Sequence, residues 1–419
     1  MNLFSQMGIS NQCDAERVVD KVRFHLALFQ SPVHHGYMKR TMDETGATAM
    51  TARIAGRLSV CALLLAAAPA PAQESATPVI GIAGPLSGYF TVLGEQIEAG
   101  VKAAVAKRDD IKTRTSDDGC SAEGGERSAR DLADARVAVV VGYPCIEAFD
   151  AAMPILAEAG IPVMAVGIQA EGITQDSAPD AARILRFGPK SSDEAEALAD
   201  YLKERWRAVN FAIIDDGTLY GRQFAEAVRF LLEEDNLQPV FTDNYRPQLE
   251  NQMGLVRRLQ RSGATHVLIG GDAYDAAVIA DNAATIDVPL TLAGGSALVA
   301  APENGRLVDG TIVAAQPDYA VREPAAELRR RTEGSGIPQI GYIAPAYAAT
   351  EVALFGLDIG AFESPASFGP MLSRTFRTAL GPLSFDANGD PESNLFEVFV
   401  VDDGRLVPDQ NGGSQERIQ

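Results

Sequence analysis

From Thr77 onward the sequence predicts an α/β fold in two doubly wound lobes. Three observations lead there. Short apolar, β-rich runs alternate with amphipathic segments at helical spacing, the pattern of parallel sheets covered by helices on both faces. Two strand ends are glycine-rich, at "GGDAYD" and "GGSA". Such ends mark the sheet edge where backbone approaches closely and where ligands of open α/β sheets sit. Finally, roughly 350 residues exceed what one core of this kind supports and suit two lobes.

The elements follow in order. "VIGIAG" is a short strand closed by glycine and proline, and "GEQIEAGVKAAVAKR" carries Ile97, Val101, Ala104 and Val105 on one helical face. "ERSARDLAD" reads as helix, "VAVVVG" as a fully buried strand, "CIEAFDAAMPILAEAG" as a helix with Pro154 as a possible interruption, and "IPVMAVG" as a strand. "SSDEAEALADYLKERW" is a helix capped by Ser191 or Ser192 with acids in its first turn. The strand "NFAIIDD" and the helix "GRQFAEAVRFLLEEDN" come next. "QPVFTDNY", "LENQMGLVRRLQRSG", "THVLIGG", "DAYDAAVIADNAATI", "PLTLAGG" and "GTIVAA" continue the alternation. "GYIAPAYAATEVALFGLDIGAF" is helical, and "LGPLSFDANGDPESNLFEVFVVDDGRLVP" reads as an antiparallel hairpin with a Gly-Asp turn. Residues 409–419 have the composition of a disordered tail.

The front of the chain has a different logic. Residues 50–72 place Arg53 and Arg57 before an apolar run from Leu58 to Ala68 and an Ala70-Pro71-Ala72 site. That is a cleaved secretory signal, too short to span a bilayer. Residues 1–49 are then an extension or the product of a mis-assigned start, with Met42 or Met50 as alternative first residues. Of the chain's 56 acids and 36 bases, the first 72 residues hold 5 and 7, which leaves a net charge of about −22 beyond them. A nucleic-acid or anionic-membrane partner needs the opposite sign. The exported part keeps two cysteines, Cys120 and Cys145, and an even pair in an oxidising compartment reads as a disulfide. Closing that loop is worth about 3–4 kcal/mol in the chain-entropy account.

Catalytic motifs are scarce. There is no G-x-S-x-G, phosphate loop, H-E-x-x-H or C-x-x-C, and His266, placed at the start of a strand, is the one histidine after the signal. Asp386, Asn388 and Asp390 have calcium-loop spacing, but Pro391 stands where the turn needs glycine. No enzyme, cofactor or metal is expected. The competing enzymatic reading is a hydrolase relying on Asp215 and Asp216.

These residues resemble a known family, the periplasmic substrate-binding proteins of ABC transporters, type I fold, in the branched-chain amino-acid (leucine/isoleucine/valine) group. "IGIAGPLSGYFTVLGEQIEAGVKAA" looks like its opening strand, loop and helix. "SDDGCSAEGG" and "VVVGYPC" resemble the two cysteine-bearing turns that a disulfide joins in that family. "AIIDDGTLYGRQFA", "PQIGYIAPAYAATE" and "LGPLSFDANGD" are similar to its D-x-x-x-Y-G strand end, late helix and closing hairpin. The resemblance implies two lobes joined by three crossings, placed near residues 188–190, 315–317 and 380–383. Lobe 1 would comprise residues 73–189 and 317–382, and lobe 2 residues 190–316 and 383–408, with ligand trapped by closure between them.

The departures from the family bear on the ligand. Ile146 replaces the serine that follows the second cysteine, Gln169 a threonine, and Ser296 the acid that takes the ligand ammonium. Tyr220 is kept, Tyr342 fills an aromatic position, and Asp272 follows "LIGG". The resemblance thus implies a pocket of Leu93, Ile146, Tyr220 and Tyr342 with Gln169, Asp272 and Ser296 as directional groups. Asp272 is the only acid this reading places near an ammonium, so the expectation leans slightly away from the standard branched-chain amino acids. The expected function is a monomeric periplasmic receptor handing an amino acid, or a related small carboxylate or amide, to ABC permease subunits. The alternatives are a ligand-sensing module of the same fold and a binder of a non-amino-acid aromatic or apolar compound.

Overall fold

The computed structural model describes residues 77–174, 183–300, 306–334 and 341–409. The expected extension, signal peptide and all but the first residue of the tail lie outside the described residues. Among the described residues, no helix is long and apolar enough to cross a membrane.

The first sheet has five parallel strands in the order β2-β1-β3-β4-β5. They are β1 (Val79–Gly84), β2 (Lys112–Asp117), β3 (Val139–Gly142), β4 (Val163–Val166) and β5 (Ile184–Phe187). Successive side chains point to opposite faces, so each strand feeds two cores. Ile80, Ile82, Val139, Val141, Met164 and Val166 pack with Ile97 and Val101 of α1 (Thr91–Val105) and with α9 (Ile343–Asp358). Val140, Val163 and Ala165 pack on the other face with Leu132 of α2 (Ala122–Asp134) and Phe149 and Leu156 of α3 (Ile146–Glu158). Helix α3 runs through Pro154 without a break. Pro154 and Asp150, whose carbonyl loses its usual donor, are both exposed, so water can take that carbonyl.

The second sheet has seven strands in the order β14-β13-β10-β9-β8-β6-β7. Its parallel part is β6 (Phe211–Asp215), β7 (Phe241–Asn244), β8 (His266–Gly270), β9 (Thr291–Gly294) and β10 (Ile312–Ala315). Between them run α4 (Asp193–Arg205), α5 (Leu219–Glu234), α6 (Met253–Ser262) and α7 (Ala273–Thr285). Ala212, Ile214, Val267 and Ile269 meet α6 and α7, while Phe211, Ile213 and Leu268 meet α4, α5 and Trp206. His266 starts β8 as expected, its ring edge-on to Trp206 at 5.3 Å.

The end of the chain differs from the expectation of one hairpin. It makes a small antiparallel pair, β11 (Phe376–Thr378) with β12 (Gly381–Leu383). A tight turn follows at residues 386–390, and then a separate hairpin, β13 (Glu397–Asp402) with β14 (Arg405–Pro408), which extends the second sheet antiparallel to β10. The Asp386 carboxylate accepts the backbone N–H groups of Asn388, Gly389 and Asp390, each at 2.9 Å, so it serves its own turn. Leu383 and Phe385 are buried with the first sheet's core. The chain therefore stays with that sheet past residues 380–383 and leaves it only after Asp390. Asp409 is not loose either: it accepts hydrogen bonds from Tyr201 (2.6 Å) and Arg205 on α4.

Arg186 fixes that last turn. It is fully buried at the end of β5, donates from Nε to Asp390 (2.7 Å), and donates from Nη1 to the carbonyls of Ile168 (3.0 Å) and Ala170 (2.9 Å). Removing one partner of such a pair leaves a buried charge uncompensated. Asp390→Ala is expected to lower unfolding free energy by about 3–5 kcal/mol in urea titrations. The double variant Arg186→Leu/Asp390→Leu should lose clearly less than the two single losses combined.

Candidate ligand-binding site

Each sheet reverses its strand order once. The chain runs from β1 outward to β2 and returns on the other side of β1 as β3; β6, β7 and β8 repeat the pattern. At such a switch point the loops leaving neighbouring carboxyl ends diverge and open a crevice. The ends are level, with Ala83 opposite Gly142 in the first sheet and Asp215 opposite Gly270 in the second. Leu93 and Ile146 follow β1 and β3; Tyr220 and Asp272 follow β6 and β8; Ser296 follows the adjoining β9. Exposed apolar side chains mark both crevices: Tyr89 is 93% exposed beside Phe90 in the first, and Leu219 is 74% exposed in the second.

The first crevice is braced over β1. Cys120, in the turn after β2, is bonded to Cys145, after β3, with their Cα atoms 5.2 Å apart. The bond thus joins the loops of the two strands that flank β1. Asp117 accepts the N–H groups of Leu86 (2.8 Å) and Gly119 (2.9 Å), tying the β1 loop to the same turn. Cys145 is the N-cap of α3 but gives it no side-chain cap. Among the described residues no acceptor meets the first N–H groups of α3, from Ile146 on. Ile146 and Leu93 are half-buried.

Tyr342 forms the next part of this wall. Its N–H donates to Gln96 Oε1 (3.1 Å), and its ring lies against Gly167, where a Cβ would come within 2.3 Å of the ring. Only glycine fits there, and Gly167 also takes a positive φ of 86°. Gln169 is exposed, and its carbonyl accepts the Ser191 N–H (2.8 Å). Glu171 takes Ser191 Oγ and the Ser192 N–H, both at 2.9 Å. The turn after β4 is thereby fastened to the segment that passes from β5 into α4.

The second sheet gathers Tyr220 and Ser296 around a residue the sequence reading missed. Glu194, in the first turn of α4, is only 8% exposed. Its Oε1 accepts the Tyr220 hydroxyl (2.9 Å) and the Ser296 N–H. Burial, and then the Glu194 carboxylate, push the Tyr220 hydroxyl well above its ordinary range, so it stays a donor. The Tyr220 ring stacks on Phe224 at 5.8 Å, and the residue is 38% exposed.

Asp272 belongs to a different group. It is the N-cap of α7, accepting the Asp275 N–H (3.0 Å) through Oδ1, and Oδ2 takes Gln248 Nε2 (2.8 Å). Burial pushes the Asp275 carboxyl up to about 6. Asp118, beside the disulfide, is likewise pushed up to about 6 by burial, against the Cys120 N–H it accepts.

A two-sheet α/β protein with crevices at both switch points is a ligand-binding protein of the periplasmic type. Residues 77–405 match the family described as periplasmic binding protein, and the chain belongs to that family. It is 24% identical over 342 residues to "Leu/Ile/Val-binding protein homolog 3" of Brucella melitensis, covering 78% of this chain and 92% of that one. Among solved structures it is similar to an ABC transporter substrate-binding protein from Desulfitobacterium hafniense in complex with Leu (TM-score 0.58, 20% identity, 79% of this chain and 99% of that one). It is also similar to an R. palustris ABC-transporter solute-binding protein in complex with 4-hydroxybenzoate (TM-score 0.57, 16% identity, 79% and 95%).

Two outcomes follow. Cys145→Ala should lower unfolding free energy by about 3 kcal/mol without altering the circular-dichroism spectrum, and thiol labelling of the denatured, unreduced protein after residue 72 should find no free cysteine. Asp118 and Asp275 have folded values near 6 against an ordinary carboxyl near 4. Between those values the folded chain holds protons that the unfolded chain has lost, so stability rises as pH falls through that window. The melting temperature should climb from about pH 7 to about pH 5, and Asp275→Asn should flatten the climb.

Proposed function

We propose that this chain is an exported, periplasmic receptor that captures a small amino acid, or a related small carboxylate, between two lobes and presents it to an ABC permease. The lobes are the first sheet with its helices and the second sheet with its own. The crossings are at residues 188–190 and 315–317, with the third after Asp390. The observation that carries the reading is the pair of switch-point crevices, each with exposed apolar side chains beside an aromatic residue. Exposed patches of this kind suit a cleft that closes over a small molecule with an apolar body. The open N-terminus of α3 suits a carboxylate, because its N–H groups and dipole favour negative charge. Family membership supports delivery to a permease, as do the ABC-transporter relatives.

A second reading, an aromatic acid as ligand, draws on the concentration of Tyr89, Phe90, Tyr220 and Tyr342 and on the 4-hydroxybenzoate complex of the R. palustris relative. Calorimetry with leucine and with 4-hydroxybenzoate, together with mass spectrometry of whatever the denatured protein releases, separates the two. Tyr220→Ala and Tyr342→Ala should each weaken the ligand that binds by about tenfold or more through lost apolar contact. Asp272→Asn should change affinity little, since that carboxylate is spent on capping α7. Binding indifferent to both tyrosines would place the site elsewhere.

A further inference from the structure

We propose that Tyr245 and Asp275 hold a singly charged inorganic cation, sodium or potassium, beneath the carboxyl ends of β6 and β8. The inference does not depend on the receptor reading.

Asp275 lies in the first turn of α7 and has no exposed surface. Its Oδ1 accepts the Gln248 N–H (2.9 Å), and its own N–H donates to Asp272 Oδ1 (3.0 Å). Gln248 Nε2 donates to Asp272 Oδ2 (2.8 Å), which closes a ring of hydrogen bonds among the three residues. Asp275 Oδ2 stands outside that ring, buried and without a partner. Tyr245 follows β7, is held by its N–H to the Asp215 carbonyl (2.9 Å), and is 6% exposed. Its hydroxyl is likewise buried without a partner. That hydroxyl points in among the acids. It lies 2.0 Å from where a Cβ on Gly271 would stand, and Asp216 Cβ is 3.6 Å from the same point. Burial, and then the charges of Asp275, Asp216, Asp272 and Asp215, push its ionisation far above the ordinary range.

An unpaired carboxylate oxygen and an unpaired hydroxyl are both costly in the interior. One cation satisfies the two together, since a tyrosine hydroxyl keeps lone pairs for it. Charge favours the same occupant. Over residues 211–221, 245–252 and 267–286 the one base is Arg246, which is exposed and forms no ion pair with these acids among the described residues. The N-terminus of α7 opposes a cation with about half a charge, which the carboxylates of Asp272 and Asp275 outweigh. A doubly charged ion asks for several carboxylates. Among the described residues no group of three or more histidines, cysteines or acids is placed to hold a metal ion, so the single charge is the better match. The first sheet supplies a contrast. Asp118 is equally buried and also leaves Oδ2 without a partner. The tyrosine whose hydroxyl feels its charge, Tyr143, shares a hydrogen bond with Ser128 (2.9 Å) and so offers no second unpaired oxygen.

Thermal unfolding of the purified protein tests the proposal. It is run at about pH 8, where ordinary carboxyls are ionised, at one ionic strength made up with sodium, potassium or choline chloride. Choline is too large to enter a buried site. Sodium or potassium chloride at about 0.15 M should raise the melting temperature by about 3 °C or more over choline chloride. Tyr245→Phe, which keeps the ring and removes only the hydroxyl, should abolish that gain, and Asp275→Asn should do the same. Asp118→Asn should retain it. Where Asp275→Asn does not fold, Tyr245→Phe decides alone. Equal melting of the wild-type protein in all three salts overturns the proposal in favour of a bridging water. A gain that survives in folded Tyr245→Phe or Asp275→Asn, or that Asp118→Asn removes, places the ion elsewhere and overturns it too.

Discussion

One buried guanidinium holds together segments that the chain keeps far apart. Arg186 sits at the end of β5, just before the passage into α4, and its donors reach the turn at residues 168–170 and the carboxylate of Asp390. Desolvating a guanidinium is tolerated only when its acceptors are in place. The position of the late turn therefore depends on Arg186, and so does the turn after β4. That turn in turn sets Gly167 under the Tyr342 ring and lends Gln169 and Glu171 to the segment that enters the second sheet. The turn under the Tyr342 ring and the passage between the sheets share one anchor.

Around that anchor the two rims differ in stiffness and in charge. The first is braced by a covalent bond over β1 and by Asp117 holding the following loop. It offers backbone N–H groups and half-buried apolar side chains. The second is built from side chains on three elements that meet at Glu194, with hydrogen bonds alone to hold them. One rim is thus held by a covalent bond and the other by hydrogen bonds.

Much of this was legible in the sequence, and the gaps have physical causes. Strands buried on both faces, such as β3, β4 and β8, are unbroken apolar runs and read as strands. β2 does not, because it is an edge strand whose Lys112 and Arg114 alternate with Thr113 and Thr115. β5 was also passed over: Arg186 interrupts "ILRF", and an arginine with no exposed surface looks in sequence like any surface arginine. The late hairpin split in two because β11 and β12 are three residues each. Of the residues proposed for the site, Tyr220, Ser296 and Tyr342 could be named because they sit just past strand ends or at a helix start. Asp272 was singled out for its place after "LIGG" and for its charge, and that same place before a helix also describes the cap it makes. Glu194 was hidden inside "SSDEAEAL", an ordinary acidic helix start, and lies 102 residues from the Ser296 it meets.

The late return of the chain to both sheets has a consequence for the order in which the molecule can be completed. Strand β10 borders β9 on one side, and its other side is covered only by β13, whose residues begin at Glu397. Asp390, the partner of Arg186, is also among the last residues described. A nascent chain that has emerged only as far as α9 holds most of both sheets. It still carries an open hydrogen-bonding edge on one sheet and an unneutralised arginine in the other. Open edges pair readily with foreign strands. Residues 390–408 thus act as the clasp of the two sheets, and a ribosome or protease that stops short of them releases a product inclined to stick to its neighbours rather than to fold.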